Sequence, residues 1–128
     1  MPKLIHAAAA ALALAVAAPT APALAADAET GAKIYRKKCK ACHTVDEGGK
    51  KKVGPNLWAI YGAEAGKKEG FKYSKAMATF EAKWDDETLD AFLKKPRNVV
   101  KRTRMAFAGL KKDTDRAAVI AYLKTLQN

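Results

Sequence analysis

The residue types able to do chemistry gather in one short stretch, Cys39-Lys40-Ala41-Cys42-His43. Two thiols three positions apart, with an imidazole directly after the second, have the C-x-x-C-H spacing of covalent haem attachment. Each thiol can add to one vinyl group of the porphyrin and leave a thioether, and the two intervening residues let both sulfurs reach neighbouring pyrrole edges. The next residue then lies under the iron, where His43 can supply an axial nitrogen. Two other readings compete. A thioredoxin-like dithiol pair calls for a βαβ surround. A zinc site calls for further Cys or His ligands, and the chain has only two cysteines and two histidines. One of those histidines, His6, falls in a leader segment, so four N and S ligands cannot be assembled. A simple disulfide or dithiol stays open beside haem.

The leader is marked by composition. Lys3 gives a positive start, an Ala/Leu/Val run spans Ala7 to Ala18, and Pro19 and Pro22 break it. Ala23-Leu24-Ala25 is a small-x-small cleavage site, so residues 1–25 read as a secretory signal peptide. The apolar run falls short of the roughly 20 residues that a spanning helix needs; an uncleaved anchor is the other reading. Cleavage leaves residues 26–128, enough for one domain with a marginal core of its own. A covalently held porphyrin would give short helices a large apolar centre to pack on. The formal charge of +11, or +10 once Lys3 is gone, points to an acidic partner. Export argues against nucleic acid, and no aromatic residues interleave with the basic ones as RNA binding would want.

The elements that must position the motif read as helices. Asp27 to Lys38 is a first helix with Asp27 as N-cap and Ala28, Ala32 and Tyr35 on one stripe. Gly31 inside it, at a cost of up to about 1 kcal/mol, implies a second backbone packed close; plain tolerance is the alternative. Thr44 to Gly70 is loop, punctuated by glycines and by Gly54-Pro55. A ligating histidine needs an acceptor on its second nitrogen, and a loop carbonyl such as that of Pro55 could serve. Ser74 to Phe80 fits a short helix capped by Ser74. Asp85 to Lys95 fits a stronger one, with Asp85 as N-cap, Trp84 stapled onto Leu89, and Pro96 as terminator. Asp113 or Thr114 caps a last helix to about Leu126, with Val119, Tyr122, Leu123 and Leu126 buried. No alternating strand pattern or internal repeat is present, so the chain reads all-α.

The sixth iron position decides between carrier and enzyme. After Met1 the chain has Met77 and Met105. Met105, in a loop between helices, is the better placed to present a thioether; Met77, in a helix, reads more as core filling. A His/Met pair fills both axial positions and raises the reduction potential.

At this point the chain resembles class I cytochrome c, above all the mitochondrial-type and bacterial cytochrome c2 group. The resemblance rests on Cys39 to Val45, Gly54-Pro55-Asn56-Leu57, Gly70 to Ser74, Trp84, Met105 to Leu110, Arg116, and Ile120 to Leu123. It implies a small all-α cytochrome c fold over residues 26–128, four to five short helices around one covalent haem c. It implies Cys39 and Cys42 as thioether anchors and His43 and Met105 as axial ligands. Pro55 offers its carbonyl to His43, and Tyr73, Ser74, Trp84 and Thr103 match positions that hydrogen-bond the haem propionates. Gly31 and Tyr35 match the crossing of the first helix with the last, near Tyr122. Lys33, Lys38, Lys50, Lys52, Arg97, Arg104, Lys111 and Lys112 match the basic ring around the exposed haem edge. Thioether haem is installed outside the bacterial cytoplasm, which agrees with a leader. The departures are Ala63 where an arginine near a propionate is common, Phe92 where a tyrosine often donates to the methionine sulfur, Met77 for a polar residue, and Lys101-Arg102 for Pro-Gly.

The expected function is a monomeric, periplasmic electron shuttle, not an enzyme, in a respiratory or photosynthetic chain. Its partners would be acidic docking surfaces of redox proteins: a bc1-type complex, an oxidase, a photosynthetic reaction centre or a periplasmic dehydrogenase. No nucleic acid or stable membrane insertion is expected. An open-site haem protein, peroxidase-like or gas-binding, is the alternative.

Overall fold

A computed structural model describes residues 8–17 and 21–128, with the backbone alone for 21–26. The leader's Lys3, His6 and Pro19 lie outside the described residues. Five helices follow in order: α1 (Ala21–Lys38), α2 (Lys75–Ala78), α3 (Asp86–Lys94), α4 (Pro96–Val99) and α5 (Asp113–Lys124). Among the described residues no strand forms; one isolated bridge joins Glu64 to Lys83. No described helix is long and apolar enough to cross a membrane. Residues 8–17 lie outside any helix, with Leu12, Leu14 and Val16 exposed.

The helix starts show local chemistry at work. Ser74 caps α2 by accepting from the Met77 N–H at 3.1 Å, and Asp85 caps α3 by accepting from the Thr88 N–H at 2.8 Å. Nine residues are too few for a self-supporting helix. Leu89, Phe92 and Leu93 on α3 are buried, and at about 1.5–3 kcal/mol each that burial is what holds it.

Three boundaries differ from the sequence expectation. α1 starts at Ala21, not Asp27, because four of residues 21–26 are alanine, the strongest helix former, and Pro22 falls in the first turn, where a missing N–H breaks no helical bond; the expected cleavage point thus lies within it. Pro96 ends α3 and also opens α4 as its first residue, where its fixed φ suits a helix start. Neither Asp113 nor Thr114 caps α5: Lys112 holds that position without a side-chain bond, and the Asp113 carboxylate instead pairs with Arg116.

α1 crosses α5 at Gly31. A methyl carbon there would lie 1.9 Å from the Ala118 carbonyl oxygen, so the two backbones meet where only glycine fits. Tyr35 and Tyr122 pack beside the crossing with ring centroids 5.6 Å apart. Arg116 ties α5 to α3 and to the segment before it. Its buried guanidinium donates to Asp90 at 2.7 Å, to the Leu110 and Lys111 carbonyls at 2.9 and 3.0 Å, and to Asp113. The core gathers Trp84, Leu89, Phe92, Leu93, Val100, Leu110, Val119, Ile120 and Leu123.

Candidate haem site

The C-terminus of α1 delivers the motif. The Cys39 and Lys40 N–H groups both donate to the Tyr35 carbonyl, at 2.8 and 2.9 Å, and those of Cys42 and His43 both donate to the Cys39 carbonyl at 3.0 Å. These turns bring both thiols and the imidazole to one edge of a cleft. Both thiols are free; Cys39 is half-buried and Cys42 exposed. Burial, and secondarily the neighbouring Cys42 thiol, push the Cys39 thiol up to about 11.

His43 is buried and clamped on three sides. Its Nδ1 lies 2.8 Å from the Pro55 carbonyl oxygen; a carbonyl only accepts, so Nδ1 carries the proton and Nε2 keeps its lone pair. The Tyr35 hydroxyl donates to the His43 carbonyl at 2.7 Å. Gly54 lies against the ring, where a methyl carbon would come within 2.4 Å of Cε1. Burial pulls the imidazole pKa below its ordinary value, partly opposed by the Pro55 bond, so the ring is neutral at pH 7, the form that ligates metal. The clamping loop is itself stitched down: the Gly54 N–H donates to the Cys42 carbonyl and the Leu57 N–H to the Thr44 carbonyl, both at 2.8 Å.

The chain from Thr103 to Phe107, Met105 included, also lines the cleft. The Thr103 hydroxyl accepts from the Met105 N–H at 3.2 Å, and the Leu110 N–H fastens the segment to the Leu93 carbonyl at 2.8 Å. The lining is mostly apolar, with Met77, Trp84, Leu89, Phe92 and Leu93 joined by Val119 and Leu123 of α5. Tyr73 and Ser74 add hydroxyls. The structure thus brings Cys39, Cys42, His43, Pro55, Tyr73, Ser74, Trp84, Thr103 and Met105 to one cleft. Met77, expected as core filling, is buried and lines it too. Lys38 and Arg104 stand in its lining, and Lys33, Lys50, Lys52, Arg97, Lys111 and Lys112 are exposed.

Sequence reasoning gave no positioning role to Asn56 or to the Tyr35 hydroxyl. Buried Asn56 spans the loop, donating to the Thr44 hydroxyl and the Asp46 carbonyl, each at 2.9 Å, and accepting from the Trp58 N–H at 3.0 Å. A buried amide beside a Gly-Pro turn was the available signal.

The donor set fits a covalently attached porphyrin. Two uncommitted thiols line the cleft, one imidazole is held with Nε2 free, a thioether lines the same cleft, and the rest of the lining is mostly apolar. A zinc site does not fit: among the described residues no group of three or more His, Cys, Asp or Glu is placed to hold a metal ion.

Comparison with known proteins agrees with this geometry. The cytochrome c family profile matches residues 28–127. The chain is similar to cytochrome c2 of Afifella marina, 49% identical over 98 residues, which covers 74% of this chain and 78% of that protein. It is 44% identical to cytochrome c of Gossypium barbadense over 98 residues, 77% of this chain and 88% of the relative. Against cytochrome c of Kluyveromyces lactis it is 40% identical over 93 residues, 73% and 84% respectively. The chain belongs to the cytochrome c family, and is an electron carrier with one covalently bound haem c rather than an enzyme.

Proposed function

We propose that the chain is an exported electron shuttle whose haem is anchored by Cys39 and Cys42 and held axially by His43 and Met105. The observation that supports this best is the His43 clamp. With Nδ1 bonded to Pro55 and Gly54 packed on the ring, Nε2 is the only nitrogen free for iron. Bound there, haem c supplies a one-electron Fe(III)/Fe(II) couple. The residues do the rest. Thr103 steadies the Met105 backbone, and the apolar lining keeps water out. Tyr73, Ser74 and Trp84 offer hydrogen bonds to carboxylates of the porphyrin.

The basic residues Lys33, Lys38, Lys50, Lys52, Arg97, Arg104, Lys111 and Lys112 form a docking ring. It steers weak, fast encounters with acidic surfaces of a bc1-type complex, an oxidase, a reaction centre or a periplasmic dehydrogenase. Residues 1–25 act as a cleaved leader to the periplasm, where the carrier works as a monomer; the Lys3 start, the Ala7–Ala18 run and Ala23-Leu24-Ala25 support this. A reduced-minus-oxidised spectrum of periplasmic protein, with and without carbon monoxide at neutral pH, tests the ligand set. A low-spin c-type spectrum with a methionine–iron band, unaltered by carbon monoxide, is the expected result. Ready carbon monoxide binding would overturn the His43/Met105 pair and favour an open site.

A further inference from the structure

The loop leading to Tyr73 carries a charge that the site described so far leaves unused. Lys68 is half-buried, and its ammonium donates to the main-chain carbonyl of Trp58. Among the described residues no carboxylate lies within ion-pair distance of it, and the nearby acids Glu64 and Glu69 are exposed. An ammonium has three N–H donors, and this one has a single acceptor. Desolvation without a counter-charge costs free energy, and here burial pushes the amine pKa down. The backbone does not force this burial, because the adjacent Lys67 keeps its side chain exposed on the Ala78 carbonyl at 2.9 Å.

Two contacts tie Lys68 to residues next to the cleft lining, although Lys68 itself is not in that lining. Its acceptor Trp58 follows Leu57, which lines the cleft. Its backbone also lies beside the hydroxyl of Tyr73, another lining side chain, and partly offsets the rise that burial gives that phenol. Porphyrin chemistry says which end of the cofactor faces those residues. The two vinyl groups of haem and its two propionates sit on opposite edges of the ring. Thioethers at Cys39 and Cys42 use the vinyl edge, so the carboxylates point away from the motif, toward the Tyr73, Ser74 and Trp84 that the family resemblance assigns to them. Those three are neutral and offer hydrogen bonds without charge. Ala63, bonded to Trp84 through its backbone at 2.9 Å, offers no charge either.

We propose that Lys68 is the counter-charge for a haem carboxylate, presenting its remaining N–H groups to that carboxylate beside Tyr73. This rests on the thioether attachment proposed above. The Trp58 carbonyl holds the ammonium in place beforehand, and the carboxylate offsets its desolvation. A cation at this point also neutralises a negative charge that would otherwise favour the ferric state.

The test uses holoprotein: Lys68→Gln, Lys68→Arg, and Lys67→Gln as a control with the same loss of charge one residue away. Expected is a downward shift of the reduction potential in Lys68→Gln that clearly exceeds that of Lys67→Gln, with Lys68→Arg near the parent value. In unsubstituted, isotope-labelled holoprotein the Lys68 ammonium nitrogen is expected to show scalar coupling to a haem carboxylate carbon. Equal potentials for the two glutamine variants, or coupling of Lys68 to no haem carboxylate, would overturn the assignment; the second reading does not depend on any variant folding. Extraction into acidified acetone separates the two layers of inference. Haem that stays with the protein while the potential is unmoved removes Lys68 alone, whereas haem that leaves removes the attachment as well.

Discussion

Replacing Gly54 by alanine tests how firmly the His43 ring is held. The new methyl carbon would lie 2.4 Å from Cε1, 2.8 Å from Nδ1 and 3.0 Å from Nε2. Carbon contacts settle near 3.5 Å, so the ring must retreat by about 1 Å. Gly54 itself cannot yield easily, because its N–H is bonded to Cys42 and its carbonyl to Lys52. A retreat of that size takes the 2.8 Å Nδ1–Pro55 contact out of hydrogen-bond range. Losing such a bond costs about 1 kcal/mol. Misorienting a ligand by removing its outer partner weakens metal binding about 10–100-fold, or about 1.4–2.8 kcal/mol. Both figures describe the same lost bond, so the larger one stands, about 1.4–2.8 kcal/mol, equivalent to a fall in Tm of roughly 6–20 °C.

The sharper assay is acid titration of the low-spin spectrum. With the proposed ligation, protons compete with iron for the imidazole, and burial already favours its neutral form. Each 1.4 kcal/mol lost from ligation raises the acid midpoint by about one pH unit, so a rise of about one to two units is expected. The control is Gly48→Ala, with φ of 69° and nothing within 4 Å of the added carbon. It carries only left-handed strain, about 1 kcal/mol. An acid midpoint in Gly54→Ala equal to that of Gly48→Ala would refute the claim that Gly54 holds the ring.

Two further substitutions test the packing and the methionine side. Gly31→Ala gains up to about 1 kcal/mol of helix propensity, but its methyl meets the Ala118 carbonyl oxygen at 1.9 Å and the Tyr122 Cβ at 2.8 Å. Overpacking at about 1–3 kcal/mol wins, and denaturant titration should show net loss; equal or greater stability would mean the helices part freely. Phe92 lines the same cleft as Met105, so Phe92→Tyr brings a hydroxyl to the methionine side. A donor to sulfur favouring the ferrous state by about 0.5–1 kcal/mol raises the potential by roughly 20–40 mV. An unmoved potential in voltammetry would show that the position has no influence on the ligand.

What could be read from the chain beforehand was whatever short spacing decides. Cys39, Cys42 and His43 reach one cleft because a fixed short separation carries them there from the end of α1. Ser74 and Asp85 cap because their side chains reach a backbone N–H three residues on. The start of α1 could not be read, since alanines lie on both sides of Asp27 and helix propensity does not change there. Pro96 announced an ending but not the short helix it begins, because one fixed φ serves both. The Asp113 side chain was lost to Arg116, a partner whose position depends on α3 and on the segment before α5. Lys68 carried no signal at all: in sequence it is one lysine of a Lys-Lys pair, and only the path of the loop sets it apart from Lys67.

The crossing of α1 with α5 sets an order of events for any chain that emerges N-terminus first. Gly31 meets Ala118, so the first helix has no docking surface until nearly the whole polypeptide is out. Through that interval the segment bearing Cys39 and Cys42 has no folded body to be buried in, and both sulfurs stay open to attachment chemistry. Once the last helix arrives, the same closure that protects the cofactor shuts the workshop door. A protein whose two ends meet last keeps its reactive groups available for as long as the chain is still emerging.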